Sequence, residues 1–228
     1  MPSSKSRPLP PGLLIAGATG LVGRELVRLA TAEATWQPVH LLVRRAMPAP
    51  VGAQLLQVDF ARLRKLPAAG SACCALGTTI AVAGSQAAFR AVDFDAVVAF
   101  ARAAHRAGVR RFATVSALGA SPRSASLYSR VKGEAEEALA AIGFETLIVA
   151  RPSLLSGDRE ALAQPARRGE QIALALTRPL AGLLPRAWRP IEAATVARAL
   201  LRALLERGPG RHVIESGELQ TLGQASTA

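Results

Sequence analysis

The sequence predicts an α/β fold of the Rossmann-like kind: one domain with a doubly wound parallel sheet and helices on both faces. The first observation is the opening stretch, residues 12–23, which reads G-L-L-I-A-G-A-T-G-L-V-G and suggests a strand, a glycine turn and a helix. The second is that apolar segments of strand length alternate with helical segments along most of the chain. The third is that most of these strands are continuous apolar runs, which is typical of parallel sheets covered on both faces.

The opening stretch is the strongest local pattern. Leu13–Ala16 has the length of a buried strand, and Gly17, Gly20 and Gly23 follow it at every third position before the helical pattern starts. Such glycines let the backbone turn tightly and approach a pyrophosphate, and the free amides of the helix N-terminus attract its charge. The segment therefore predicts a dinucleotide-binding turn. The alternative is ordinary turn chemistry in a chain rich in alanine and glycine.

Length and composition set the domain organisation. The chain has 228 residues, half of them hydrophobic, which suits one α/β domain with a sizeable core. Residues 1–11 are rich in serine, proline and basic side chains and are predicted to be a flexible leader. We expect the dinucleotide-binding domain at residues 12–217, with a small substrate-covering segment at 160–190. Residues 218–228 are expected to form a C-terminal tail.

The cysteines indicate a reducing compartment. Cys73 and Cys74 are adjacent within an apolar run, and neighbours on a strand point to opposite faces, so a disulfide between them would be strained. No metal-ligand spacing and no secretory signal is recognisable, and we expect a cytoplasmic protein without a metal. The most apolar late segment, residues 172–184, is too short to cross a bilayer and contains Arg178 and Pro179.

The formal charge is +12, with an isoelectric point near 11.4. Such a charge suggests nucleic acid or an acidic membrane as a partner. The basic residues are mostly arginines scattered along helices, however, and the few aromatic residues are not interleaved with them as a stacking platform requires. We therefore expect no specific nucleic-acid binding, and any weak binding should fade as salt rises.

The remaining elements follow in alternation. Strands are predicted at residues 36–43, 54–59, 71–76, 111–116, 146–150 and 210–216, and helices at 93–108, 127–142 and 192–207. Asp93 is an N-cap candidate for the first of these helices. Ligands of such sheets bind at the carboxyl ends of the strands. The candidate site residues at these ends are Gly17, Arg44, Asp59, Gly77, Ser116 and Pro152.

Residues at two strand ends bear on how a cofactor would be bound. Arg44 and Arg45 come about 20 residues after the last glycine, where an NAD-specific site holds an acid on the ribose 2′-hydroxyl. A planar guanidinium there pairs with a 2′-phosphate instead, so the sequence predicts NADP(H). The alternative is a solvated loop in an arginine-rich protein. Asp59 is equally compatible with accepting a hydrogen bond from the adenine amino group and with an ordinary turn.

Tyr128 and Lys132 are four residues apart and would share one face of a helix. Tyr128 is the only tyrosine of the chain, and Lys132 is one of three lysines. A nearby ammonium lowers the pKa of a phenol from its usual value of about 10, which favours proton exchange at neutral pH. The alternative is a surface tyrosine with a lysine neighbour. Gly133 costs this helix about 1 kcal/mol relative to alanine, which close approach of a cofactor or a facing helix would explain.

With these motifs in register, the chain resembles the short-chain dehydrogenases/reductases, and its glycine spacing is that of their extended and atypical branches. Four further stretches carry the resemblance: L-L-V-R-R at 41–45, A-L-G-T-T at 75–79, L-Y-S-R-V-K-G-E-A-E at 127–136 and R-P-S-L-L-S-G-D-R at 151–159. They are similar to the Tat-interactive-protein-like group of atypical reductases, which is related to NmrA-like NADP(H)-binding proteins.

The resemblance implies a set of site residues. The turn would hold NADP(H) through Thr19, Leu21 and Val22 with the three glycines, and the 2′-phosphate would lie at Arg44 and Arg45. Gly77 and Thr78 would lie along the cofactor, Tyr128 would be the catalytic acid/base, Lys132 would reach the nicotinamide ribose, and Leu154 and Arg159 would lie near the nicotinamide. Where the family commonly has a substrate-orienting serine this chain has Ala117 and Leu118, which leaves Ser116, Ser121 and Ser126 open as substitutes.

We therefore expect an NADP(H)-dependent oxidoreductase that acts on a carbonyl/alcohol pair, with an unidentified carbonyl compound as substrate. The alternative is a non-catalytic NADP(H)-binding regulatory or assembly protein of the NmrA-like kind. The intact pair of Tyr128 and Lys132 favours the enzyme, and the missing serine favours the regulator. A homodimer or a protein partner is compatible with either.

Overall fold

The structure is a computed structural model that describes residues 11–156 and 188–224. Its strands are β1 Leu13–Ala16, β2 Val39–Val43, β3 Ala53–Gln57, β4 Ser71–Cys74, β5 Arg111–Val115, β6 Thr146–Arg151, β7 Leu155–Ser156, β8 Ile191–Glu192 and β9 Gly210–Glu215. Seven of them form one sheet in the order β3-β2-β1-β4-β5-β6-β9, and each neighbouring pair is parallel. The strands β7 and β8 form a separate two-stranded ladder.

Helices cover both faces of this sheet. They are α1 Leu21–Thr31, α2 Ile80–Ala83, α3 Gln86–Arg90, α4 Val97–Arg106, α5 Leu127–Ala140, α6 Ala193–Glu206 and α7 Ser216–Leu222, with a π-helical turn at Ala91–Ala96. One buried cluster joins the sheet to α1, α6 and α7, and a second joins it to α4 and α5. The strand order doubles back between β1 and β4, which is the doubly wound arrangement. The predicted fold class is confirmed.

Strand residues alternate between the two cores. In β1, Leu13 and Ile15 belong to the first cluster and Leu14 and Ala16 to the second, and all four side chains are fully buried. This is why the strands appear in the sequence as continuous apolar runs. The adjacent cysteines follow the same rule: Cys73 lies in one core and Cys74 in the other, and both are free thiols. Burial raises the pKa of Cys74 to about 11.

Several predicted boundaries differ from the observed ones. The second strand begins at Val39 rather than at Trp36, because Trp36 ends a short 3₁₀ turn and buries its ring in the core. The short ladder of β7 and β8 has no counterpart in the prediction. The predicted boundary between residues 217 and 218 falls inside α7, where Leu219 is fully buried against the first core.

The prediction that Asp93 caps a helix is wrong. The helical path begins at α3, where the Ser85 hydroxyl accepts a hydrogen bond of 3.1 Å from the Ala88 N–H, and it continues through the π-helical turn into α4. Asp93 lies in the middle of that path and is completely buried. A buried carboxylate needs a charged or hydrogen-bonding partner, and the partner is Lys132 on α5, 2.7 Å away.

Gly133 has a steric reason that differs from the two we expected. A Cβ built on Gly133 would lie 2.3 Å from the carbonyl carbon of Ser121 and 2.4 Å from the nitrogen of Pro122. The loop before α5 therefore passes directly over the helix backbone, and no side chain fits between them. The loop follows β5, so this contact sets the position of Gly133, and with it that of Lys132, relative to the carboxyl end of that strand.

Gly133→Ala should destabilise the fold. Alanine improves helix propensity by about 1 kcal/mol, but the new methyl would meet backbone atoms that have no freedom to move aside. Overpacking costs about 1–3 kcal/mol, and contacts of 2.3 and 2.4 Å with backbone atoms place this case at the upper end. After the gain in propensity, we expect a net loss of about 2 kcal/mol in the free energy of unfolding. Denaturant unfolding measures it.

The matched control is Gly208→Ala, because a Cβ at Gly208 would have no heavy atom within 4 Å. This variant should stay within about 0.5 kcal/mol of the wild type. A Gly133→Ala protein as stable as the control would contradict the steric explanation.

Candidate functional site

The glycine turn connects β1 to α1, and two of its glycines are required by packing. Gly17 has φ +86°, and a Cβ there would lie 2.4 Å from the carbonyl carbon of Ala75. A Cβ on Gly23 would lie 2.0 Å from the Gly17 carbonyl oxygen. Gly20 is different, since its nearest neighbour would be 3.5 Å away. The backbone at Gly20 is therefore open to a ligand, while Gly17 and Gly23 hold the turn closed.

The N-terminus of α1 points free amides out of this turn. The Arg24 N–H is bonded to the Gly20 carbonyl at 2.9 Å, so the amides of Leu21, Val22 and Gly23 precede the first bond within the helix. The first turn holds no acidic residue and no capping side chain. Unpaired amides and the helix dipole favour an anion at this position. Leu21 and Val22 pack their side chains against the core, so they offer only their backbone.

A cavity of about 680 Å³ opens at the carboxyl ends of β1, β2 and β4. This volume is within the usual range for small-molecule sites, and the position is the switch point of the sheet, where such folds bind their ligands. Its lining brings together seven predicted cofactor residues. They are Gly17, Thr19, Gly20, Arg44, Arg45, Gly77 and Thr78.

Arg44 and Arg45 follow β2 and are exposed on the wall of this cavity. Neither guanidinium forms an ion pair or a side-chain hydrogen bond within residues 11–156 and 188–224. The lining that the structure describes contains no aspartate and no glutamate. A cavity with two unpaired guanidinium groups, free helix amides and no carboxylate suits an anionic ligand.

Asp59 has a local role. Its Oδ1 accepts a hydrogen bond of 3.0 Å from the Ala61 N–H and so caps a short 3₁₀ turn, and its side chain is 62% exposed. The next residue, Phe60, lines the cavity, whereas Asp59 does not. Contact of Asp59 with adenine stays a prediction. Sequence reasoning missed Phe60, although an apolar residue directly after a strand-end acid was a usable signal.

The buried ion pair of Lys132 and Asp93 lies beside the cavity. The Lys132 ammonium is 2.7 Å from Asp93 Oδ1, and the Thr78 N–H donates a hydrogen bond of 2.8 Å to Asp93 Oδ2. A Cβ on Gly77 would lie 3.4 Å from both charged atoms. Burial by itself lowers the pKa of Lys132, but the Asp93 carboxylate, helped by Tyr128, outweighs it and raises that pKa above its ordinary value. The ammonium is therefore a fixed cation at the edge of the cavity.

Tyr128 lies in the first turn of α5, one helical turn before Lys132. Its half-buried ring stacks on Phe89 of α3, with ring centroids 5.5 Å apart and an interplanar angle of 28°. The spacing predicted from the sequence thus places both residues on one helix that packs against the α3 region. Phe89 was not expected as a partner, because the pairing depends on how two distant segments pack.

The Ser116 hydroxyl is hydrogen-bonded to another buried side chain. Its hydroxyl donates a hydrogen bond of 2.6 Å to Glu136 Oε1, and both side chains are buried. Glu136 also accepts hydrogen bonds from Arg151, at 2.6 and 3.0 Å, and from Arg211, at 3.2 Å. Bonding to Glu136 raises the pKa of Arg151 despite its partial burial. A catalytic role for Ser116 would require its hydroxyl to leave this network.

The other predicted residues lie as follows. The Ser121 hydroxyl accepts from the Arg123 N–H at 3.3 Å, and Ser126 precedes α5 without a capping bond from its side chain. The Leu154 carbonyl accepts a hydrogen bond of 3.0 Å from Ile191 beside the β7–β8 ladder. Arg159 and most of the expected substrate-covering segment lie outside the described residues, as do residues 1–10 of the expected leader.

The described part of the chain shows neither a metal cluster nor a membrane span. Within residues 11–156 and 188–224, no cluster of three or more His, Cys, Asp or Glu side chains is arranged to hold a metal ion. None of the helices in those ranges combines the length and the hydropathy needed to span a bilayer.

Comparisons with known proteins agree with this geometry. A family profile described as NAD(P)H-binding matches residues 17–207. The rat protein named HTATIP2 (Rattus norvegicus) is 32% identical over 226 residues, which cover 94% of this chain and 90% of that protein. The protein named FMP52, mitochondrial, from Coccidioides immitis is 34% identical over 163 residues, covering 64% of this chain. The chain spans 66% of the length of that fungal relative.

Solved structures with the same fold carry a nicotinamide cofactor. MoeE5, in complex with UDP-glucuronic acid and NAD, superposes with a TM-score of 0.70 at 18% identity, over 90% of this chain and 76% of that one. The UDP-glucose 4-epimerase of Thermus thermophilus, in complex with NAD, gives 0.65 at 17% identity, over 93% of this chain and 84% of that one. At these identities the likeness establishes the fold.

The glycine turn, the acid-free cavity and the Tyr128–Lys132 helix are thus found in a chain whose sequence matches a cofactor-binding family over most of its length. This chain belongs to the NAD(P)H-binding family, as an atypical short-chain dehydrogenase/reductase of the HTATIP2-like group.

Proposed function

We propose that the protein is an NADP(H)-dependent oxidoreductase that acts on a carbonyl/alcohol pair. The observation that carries this proposal is the buried Lys132 ammonium, fixed 2.7 Å from Asp93 at the edge of the cavity and one helical turn from the only tyrosine. Burying a cation costs several kcal/mol of desolvation. A role next to a phenol that exchanges protons would explain why Lys132 is buried.

The cavity suits a dinucleotide phosphate. Close backbone contacts at Gly17 and Gly23 hold the turn in its shape. The amides at the start of α1 are free for a pyrophosphate. Arg44 and Arg45 line the cavity and have no carboxylate partner among the described residues. We infer that the two guanidinium groups select a 2′-phosphate, since an acid at their position would select the bare ribose of NAD. When bound, the nicotinamide would supply or accept the hydride.

Tyr128 is the proposed proton donor and acceptor. Its phenol lies on the same helix as the fixed ammonium of Lys132, one helical turn before it. In the direction of reduction, the Tyr128 hydroxyl would give its proton to the substrate oxygen as that oxygen becomes an alcohol. Because the Ser116 hydroxyl is bonded to Glu136, we propose that Tyr128 holds the substrate oxygen without help from Ser116.

The second candidate is a non-catalytic NADP(H)-binding regulator. The engagement of Ser116 by Glu136 favours it, together with the alanine and leucine that follow Ser116. Such a protein would bind the cofactor through the same cavity and would not turn over a substrate. Turnover on a panel of carbonyl compounds therefore separates the two candidates.

The compartment stays a prediction. We infer a cytoplasmic location, whereas the fungal relatives carry the word mitochondrial in their names. Fractionation of cells that express the tagged protein distinguishes the two.

Cofactor choice is the first test. Arg44→Glu should weaken NADPH binding at least about tenfold, or about 1.4 kcal/mol, because it replaces a cation at the 2′-phosphate by an anion. NADH has no 2′-phosphate, so its affinity should change less. Isothermal titration calorimetry measures both affinities.

Arg102→Glu is the matched control, since Arg102 is exposed on α4 and does not line the cavity. It makes the same change in net charge and should leave both affinities near the wild-type values. Equal affinities of the wild type for NADPH and NADH would contradict the proposed specificity.

Proton transfer is the second test. Tyr128→Phe keeps the ring that stacks on Phe89 but removes the hydroxyl, so turnover should fall about 10²–10⁴-fold, the usual contribution of a general acid. NADPH affinity should be nearly unchanged. The loss of NADPH absorbance with aldehydes, ketones and quinones measures the rate, and calorimetry measures binding.

Lys132→Met is the informative comparison, because it removes both the cation near the phenol and a donor to the cofactor. Rate and cofactor affinity should then fall together. The proposed mechanism is wrong if both variants keep the wild-type rate on an accepted substrate. A wild type that binds NADPH tightly but turns over nothing on a broad panel supports the regulator instead.

A further inference from the structure

Tyr128 and Lys132 lie one turn apart on α5 but are held in different ways. The Lys132 ammonium is fixed by the buried Asp93 carboxylate, 2.7 Å away. Tyr128 is half-buried, and its hydroxyl has no hydrogen-bond partner in the part of the chain that the structure describes. The residue at the N-cap of the helix, Ser126, provides no side-chain capping bond. The direction of the phenol therefore depends on what its ring contacts.

The ring of Tyr128 lies against Phe89 on α3. The two ring centroids are 5.5 Å apart and the interplanar angle is 28°, which lies within the range of offset-stacked aromatic pairs. Phe89 is fully buried, and close packing leaves a buried ring little room to change rotamer. The Phe89 ring is thus a fixed surface on which the phenol rests.

Helix α3 is also attached to α5 independently of this stack. Arg90, directly after Phe89, forms an ion pair of 2.5 Å with Glu134 on α5. Ala88, directly before Phe89, lines the cavity. This short helix therefore faces the cavity with one residue and Tyr128 with the next.

We propose that Phe89 is a positioning residue that sets the direction of the Tyr128 phenol. Phe89 is not part of the cavity lining that the structure describes, so it acts through Tyr128 and not by contact with substrate or cofactor. The proposal rests on the proposed function only for its effect on the rate. The orientation of the ring is a property of the protein alone, and it is measurable without substrate or cofactor.

The physical argument concerns the rotamers of Tyr128. A side chain without a restraining neighbour has several staggered rotamers open to it. Proton transfer requires the hydroxyl to lie within hydrogen-bond reach of the reacting oxygen, so every rotamer that points elsewhere lowers the fraction of molecules ready to react. Stacking on a fixed ring favours the rotamer that keeps the two faces together. Loss of the stack should therefore slow the reaction although the proton donor is still present.

The orientation of the ring is the first test. Tyr128 is the only tyrosine of the chain, so tyrosine-selective isotope labelling of the full-length protein gives nuclear magnetic resonance signals from this residue alone. Three-bond couplings across its Cα–Cβ bond report how its rotamers are populated. We expect the couplings of a single rotamer in the wild type and averaged couplings in Phe89→Leu, because leucine keeps an apolar side chain but removes the ring.

Phe100→Leu is the matched control. Phe100 on α4 is also fully buried, and its ring pairs with that of Phe112 at 5.7 Å. The variant removes the same atoms from the interior but leaves the stack on Tyr128 intact, so the Tyr128 couplings should match those of the wild type. A merely structural role of Phe89 predicts instead that Tyr128 keeps one rotamer in both variants.

The rate is the second test. On a carbonyl compound that the wild type reduces, Phe89→Leu should lower kcat about tenfold, the upper range of what one aromatic pair contributes. This is less than the loss of about 10²–10⁴-fold expected for removing the Tyr128 hydroxyl. NADPH affinity should stay near the wild-type value. The double variant Phe89→Leu/Tyr128→Phe should be no slower than Tyr128→Phe alone, because no hydroxyl is left to position.

Circular dichroism establishes that each variant is folded, and Phe89→Met, which also lacks a ring, repeats both tests if the leucine variant does not fold. A folded Phe89 variant with the single-rotamer couplings of the wild type overturns the proposal, as do averaged couplings in the wild type itself. A further loss of rate in the double variant contradicts it as well. If the wild type turns over no substrate, the proposed function fails, while the couplings still decide the role of Phe89.

Discussion

The ion pair between Lys132 and Asp93 is the interaction on which the site depends. Removing either charge would leave the other buried without a partner, which typically costs about 3–5 kcal/mol. The pair joins α5 to the π-helical turn, and the Thr78 amide extends the connection to the end of β4. Three segments that are distant in sequence are thereby held at the carboxyl edge of the sheet. The pair thus links the wall of the cavity to the helix that carries Tyr128.

A second buried carboxylate, Glu136, holds the same helix further along. It lies one helical turn after Lys132 and receives hydrogen bonds from Ser116 after β5, Arg151 at the end of β6 and Arg211 on β9. Helix α5 is thus attached on one side to the cofactor cavity and on the other to the last strands of the sheet. The two attachments explain why a helix with a glycine in its middle is well defined: its position comes from buried charges and from the loop over Gly133, not from helix propensity alone.

Local patterns in the sequence were sufficient for the fold class, the glycine turn and the Tyr128–Lys132 spacing, since each depends on residues close together in the chain. The arginines at the end of β2 line the cavity wall, and their contact with a cofactor phosphate stays a prediction. What the sequence did not show depends on packing between distant segments. Aspartate is a common helix-cap residue, so the sequence suggested that role for Asp93. Its contact with Lys132 arises only when α5 packs against the π-helical turn. The bond from Ser116 to Glu136 and the β7–β8 ladder are of the same kind, because no local spacing encodes a partner that lies 20 or more residues away.

Because basic residues are in excess, the location of Arg44 and Arg45 is more informative than their lack of acidic partners. The chain has 28 lysines and arginines but only 16 acids, so a guanidinium without a carboxylate partner is no evidence of function by itself. Several arginines elsewhere do have acidic partners, including Arg28, Arg90 and Arg202. Arg44 and Arg45 differ in location: they line a concave surface without carboxylates, beside helix amides that are also unpaired. Like charges gathered in a cavity repel one another unless a ligand balances them, and a 2′-phosphate beside a pyrophosphate is a ligand of that charge.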